Sequence, residues 1–110
     1  MIRTAEYSFK TPLTYYQMFT ALKACHPGRW SEGDSAWYGD YLASGIQFTP
    51  KENGVIRIYD TNGFYLKLKM YCEDGSHRAA EYWDRLHAHA MTEIVPLIQA
   101  SELEPSNEID

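Results

Sequence analysis

Phe64-Tyr65-Leu66-Lys67-Leu68-Lys69-Met70-Tyr71-Cys72 alternates without a break. Phe64, Leu66, Leu68, Met70 and Cys72 form one set; Tyr65, Lys67, Lys69 and Tyr71 form the other. Successive side chains on a strand point to opposite faces, so this strict period of two marks a half-buried strand with one apolar face. The stretch before it repeats the pattern at hairpin distance. Val55 to Tyr59 turns Ile56 and Ile58 inward, and Asp60-Thr61-Asn62-Gly63 carries turn residues. Asp40 to Phe48 turns Leu42, Ile46 and Phe48 inward, and Pro50-Lys51-Glu52-Asn53-Gly54 links it onward, with Asn-Gly supplying the positive φ of a tight turn. Links this short join antiparallel neighbours, so the three strands read as a meander.

The flanks supply the other elements. From Ile2 to Lys10, Arg3, Ala5, Tyr7 and Phe9 alternate with Thr4, Glu6, Ser8 and Lys10, the pattern of a further half-buried strand. Thr11 and Pro12 suit the N-cap and first position of a helix. Tyr15, Met18, Phe19, Leu22 and His26 then share one helical face, and Pro27-Gly28 stops it. Gly28 to Gly39 reads as an irregular loop holding Trp30, Trp37 and Tyr38. A long helix is expected from about His77, with Ala80, Trp83, Leu86, His87, Ala90, Ile94 and Leu97 in one stripe and a kink or break at Pro96.

Each helix has one apolar stripe and the meander one apolar face. The expected architecture is therefore an α+β two-layer sandwich of order β-α-β-β-β-α, with a mostly antiparallel four-stranded sheet and both helices on one face. A parallel pairing of the first strand would require a right-handed crossover. Residues 1–100 read as a single domain. Residues 101–110 are polar and acidic and read as a flexible tail.

The chain has 110 residues, enough to bury a core without staples. It is rich in aromatics, with nine Tyr, four Phe and three Trp, residue types that serve interfaces as well as cores. Its formal net charge of −5 opposes non-specific nucleic-acid binding and disfavours a nucleic-acid partner. Cys25 and Cys72 make neither a disulfide framework nor a zinc spacing. The N-terminus lacks a basic-plus-apolar signal pattern, and no apolar run approaches the roughly 20 residues of a membrane span. A cytoplasmic, non-membrane protein is expected.

No catalytic, metal or cofactor signature emerges. His77, Glu81 and Asp84 share a helical face but lack a fourth ligand and stand among Arg78 and Arg85, as on a solvated charged surface. Cys25 and His26 are adjacent and so diverge on a helix. The glycines are single, without phosphate-loop spacing. His87 falls in the apolar stripe; with Cys72 and Trp83 it could line a pocket between the last helix and the sheet. That is the pattern of a small-molecule binder or small enzyme.

The leading expectation is a non-enzymatic interaction protein of the inhibitor, immunity or adaptor type, with a protein partner that is acidic. Two surfaces carry it. One is the sheet face turned away from the helices, with Tyr41, Arg57, Tyr59, Tyr65, Lys67, Lys69 and Tyr71. Rigid phenol rings there offer contact area and cations attract the partner. The other is the aromatic loop with Trp30, Trp37 and Tyr38. Self-association as a homodimer through the same sheet face is the remaining alternative.

Overall fold

The computed structural model describes residues 2–24, 29–35, 39–46, 54–60, 66–73 and 79–105. In chain order these give β1 (Ile2–Lys10), α1 (Tyr15–Leu22), β2 (Ser31–Ser35), β3 (Gly39–Ile46), β4 (Gly54–Asp60), β5 (Leu66–Glu73), α2 (Ala79–His89), a π-helical turn (Ala90–Ile94), α3 (Val95–Leu97) and β6 (Ser101–Pro105). The chain is a small single α+β domain. Among the described residues its sheet has six strands rather than four, in the order β2-β3-β4-β5-β1-β6, and every pairing there is antiparallel.

The two extra strands come from stretches that read as loop and tail. Ser-Glu-Gly-Asp-Ser and Ser-Glu-Leu-Glu-Pro are poor in strand-forming residues, so their local preference is weak. Neighbouring ladders recruit them: β2 pairs along β3 over five positions, and β6 pairs with β1. β1 itself lies antiparallel against β5, which removes the parallel crossover.

α1 starts later than Thr11-Pro12. Thr14 is the N-cap of a capping box: its hydroxyl accepts from the Gln17 N–H at 3.1 Å, and the Gln17 side-chain oxygen accepts from the Thr14 N–H at 2.9 Å. Thr11 instead donates its hydroxyl to the Ile98 carbonyl and ties the entry of α1 to the end of α3. The expected helical position of His26 and the stop at Pro27-Gly28 lie outside the described residues, as do Phe48, Phe64 and both hairpin turns between the central strands.

One face of the sheet supplies Phe9, Leu42, Ile46, Ile56, Ile58, Leu68, Met70 and Cys72 to the core. Met18 and Leu22 of α1 join the same cluster, as do Tyr82, Leu86, Ala90, Ile94 and Ile98 from the C-terminal helical run. Those last five recur every four residues. On a 3.6-residue helix that spacing drifts by about 40° per step. The wider π turn at Ala90–Ile94 turns the line back, and it comes just before Pro96, where the Val95 N–H reaches the Ala90 carbonyl. The break expected at Pro96 is thus a local change of helix type. The stripe also rotates: Tyr82 and Ile98 are buried, Trp83 is half-buried and Leu97 is exposed. Gln99, at φ 50°, then takes a left-handed conformation that lets the Ala100 N–H reach the Val95 carbonyl at 3.0 Å and ends the helix.

Two interior features carry expectations. The Tyr82 hydroxyl donates to the Ile46 carbonyl, and the phenol lies where a Cβ on Gly54 would stand. Only glycine admits this approach. Gly54→Ala should lower the unfolding free energy by about 2 kcal/mol through overpacking, measured by urea unfolding; an unchanged midpoint would contradict the packing.

His89, which is not among the residues of the apolar stripe expected for the last helix, is only 8% exposed. Burial holds its imidazole below the ordinary value of 6.5, with Glu93 pulling weakly the other way. The unfolded chain therefore takes up a proton near pH 6.5 that the native state refuses until lower pH. The stability is fully present above that pH and is lost as pH falls through it. The wild-type unfolding midpoint should drop more steeply between pH 7 and 5 than that of His89→Gln; equal slopes would overturn the assignment.

Candidate functional site

The face opposite the core is defined by register. One row across β3, β4, β5 and β1 carries Tyr41, Tyr59, Lys67 and Ser8; the next carries Ala43, Arg57, Lys69 and Glu6; a third carries Gly45, Val55, Tyr71 and Thr4. Six of the ten residues expected at a partner surface meet here: Tyr41, Arg57, Tyr59, Lys67, Lys69 and Tyr71. Tyr65, Trp37 and Tyr38 lie outside the described residues. Trp30 stands apart from them, in the core cluster, with 7% exposure. Its indole Nε1 is buried with no hydrogen-bond partner among the described residues.

Arg57 is the centre of the face. Its guanidinium carbon lies 5.0 Å from the Tyr41 ring centre and 5.5 Å from that of Tyr71, within cation–π range of both. A terminal N–H donates to the Tyr59 hydroxyl at 3.1 Å. Hydrogen bonding to Tyr59 raises the Arg57 pKa further, against the opposing effect of burial. Its Nε is buried without a hydrogen-bond partner among the described residues. Tyr41 and Tyr59 rings sit 5.2 Å apart and tilted. The Tyr41 ring also lies over Gly33 of β2, where any Cβ would meet it. The arrangement is a pre-set guanidinium among phenols, with Lys69 directly across the strand pair.

This surface is less open and less purely basic than its strand pattern implies. Tyr59 and Lys67 retain only 5% and 9% exposure. The cause on the basic side is β1. Its pairing with β5 brings Glu6 beside the lysines, and the Glu6 carboxylate lies 3.6 Å from Lys67 Nζ. Tyr41, Arg57, Lys69 and Tyr71 stay half-buried. A strand neighbour 61 residues away in sequence, Glu6 against Lys67, decides this, and alternation within one strand carries no signal for it.

The alternative pocket residues are also placed. Tyr7 Oη and His87 Nε2 are 2.9 Å apart, and the Trp83 ring centre lies 6.4 Å from that of His87. Cys72 is fully buried. Glu81 and Asp84 are exposed, and His77 lies outside the described residues. Among the described residues, no group of three or more His, Cys, Asp and Glu side chains is placed to hold a metal ion. No helix there is long and apolar enough to cross a membrane.

At the β2 end of the sheet, Tyr15 donates its hydroxyl to the Tyr41 carbonyl at 3.1 Å. Its phenol is pushed up to about 12 by burial first, and then by Glu32, Asp40 and Asp60.

The Glu6–Lys67 pair generates a stability prediction. Removing one member of a nearly buried ion pair costs about 3 kcal/mol, because the other charge loses its counter-charge. Glu6→Gln should approach that loss in denaturant unfolding, while the joint Glu6→Met and Lys67→Met replacement should lose much less. Equal losses in the single and double variants would contradict the pairing.

No protein-family model matches the chain, and no curated protein matches it in sequence.

Proposed function

We propose that this chain is a non-enzymatic interaction protein, of the inhibitor, immunity or adaptor kind, that engages an acidic protein through Arg57 and Lys69 framed by Tyr41 and Tyr71. One observation carries this reading: the Arg57 guanidinium is held between two phenol rings and bonded to a third. An arginine immobilised before binding loses little conformational freedom on contact, and Arg and Tyr are the residue types that dominate interface hot spots. Lys69 adds a second cation directly opposite.

The surface is narrower than the strand pattern alone implies. Lys67 already faces Glu6, so among the described residues of this face the cations offered to a partner are Arg57 and Lys69. The chain's net charge of −5 repels an acidic partner at long range. Attraction must then act within about 8 Å, the screening length at physiological salt. Recognition of this kind selects by local geometry rather than by bulk charge.

The test compares the wild type with the Arg57→Gln/Lys69→Gln variant, which removes two charges without placing new ones on the face. Both are tagged and used to capture proteins from host extract, and the captured acidic protein is then titrated against each. The wild type should enrich that protein, and the variant, shown to be folded by a cooperative unfolding transition, should bind it at least tenfold more weakly. Equal affinity for the folded variant, or no acidic protein enriched over a scaffold control, would overturn the reading.

A further inference from the structure

The two edges of the sheet are built differently. β6 carries the devices that stop further pairing: its register against β1 shifts between Ser8 and Lys10, Glu102 has φ 53°, and Pro105 has no N–H to offer. Glu102 is also drawn back onto β1 by an ion pair with Lys10 at 3.1 Å. β2 has none of these. It runs in unbroken register with β3, from Ser31 opposite Ala43 to Ser35 opposite Gly39, and contains no proline. Ser31, Glu32 and Asp34 are exposed. Among the described residues β2 pairs only with β3, so its outer row of backbone groups is a template for another strand.

Charge selects what can use that template. Glu32 and Asp34 are two residues apart and project from the same side of β2. Asp40 stands directly opposite Asp34 on β3, and neither β2 nor β3 contains a lysine or arginine. A second copy pairing β2 with β2 would bring these carboxylates against their own kind, which is unfavourable across a strand pair. A basic strand would place its alternate side chains about 5 Å from Glu32 and Asp34. The residue between those two basic positions would fall on the other face, beside Gly33 and the Tyr41 ring that covers it. An apolar or aromatic side chain suits that place.

We propose that β2 is a docking strand for an extended segment of a different protein with the pattern basic–apolar–basic, which adds to the sheet edge with its cations on Glu32 and Asp34. The net charge of −5 steers such a segment toward the chain. This site is opposite in sign to the Arg57 face and shares with it the Tyr41 ring.

The probe is a capped synthetic peptide, Thr-Lys-Val-Lys-Thr, titrated into the full chain and followed by amide resonances. The amides of β2 should shift and gain exchange protection. Affinity should fall at least tenfold for Thr-Glu-Val-Glu-Thr and for the lysine peptide carrying backbone N-methyl groups. It should fall as much in the Glu32→Lys/Asp34→Lys variant, which should in turn prefer the glutamate peptide. If that variant does not fold, Glu32→Gln/Asp34→Asn serves for the loss of affinity. Shifts that map away from β2, absence of binding at millimolar peptide, or undiminished binding of the N-methylated peptide would each overturn the proposal.

Discussion

The position of β5 inside the sheet is the constraint on which the remaining structure depends. β5 is paired over its length with β4 on one side and β1 on the other, so its alternation is transmitted in both directions. Leu68 falls in a row with Ile58 and Leu42, and Met70 in a row with Ile56, all of them fully buried. A one-residue slip of β5 would exchange Leu68 and Met70 for Lys67 and Lys69 and put two cations in the core. The burial of the apolar rows, worth about 1.5–3 kcal/mol per large side chain, makes that slip prohibitive.

The same register assembles the opposite face. Because Arg57 and Lys69 face each other across β4 and β5, two like charges stand directly opposite, an arrangement that is unfavourable by itself. The surroundings offset it. Tyr41, Tyr59 and Tyr71 engage the guanidinium, and Glu6 arrives from β1 to face the lysines. A sheet face that spends aromatic surface and a carboxylate on holding cations in place retains local positive charge on a chain that is acidic overall. This is the physical basis for reading the face as a recognition surface.

Acidity is distributed with similar economy. Glu102 and Glu104 lie on β6, and Glu32 and Asp34 on β2, so both edge strands of the described sheet carry carboxylates. On β6 the charge accompanies a register shift and a proline, which together end the sheet. On β2 it accompanies a regular ladder, leaving self-pairing opposed but pairing with a cationic strand unopposed.

Strong local periodicity made much of the fold legible. The alternation of Leu66 to Cys72 and of Val55 to Tyr59 located the central strands and sorted their residues into two faces, because a period of two admits a single sorting. The Thr14–Gln17 capping box was also present in the sequence, although Thr11-Pro12 offered a competing start for the helix. Other features had no local signature. Ser31–Ser35 and Ser101–Pro105 are strands only because neighbouring ladders satisfy their backbones. The placement of Glu6 on the lysines, the burial of Lys67 and His89, and the rings around Arg57 require knowing which strands adjoin and how the last helix is rotated. The sequence alone determined which side chains share a face, since that follows from backbone geometry within one element. Tertiary structure decided which faces and edges meet, since that depends on the simultaneous burial of elements far apart along the chain.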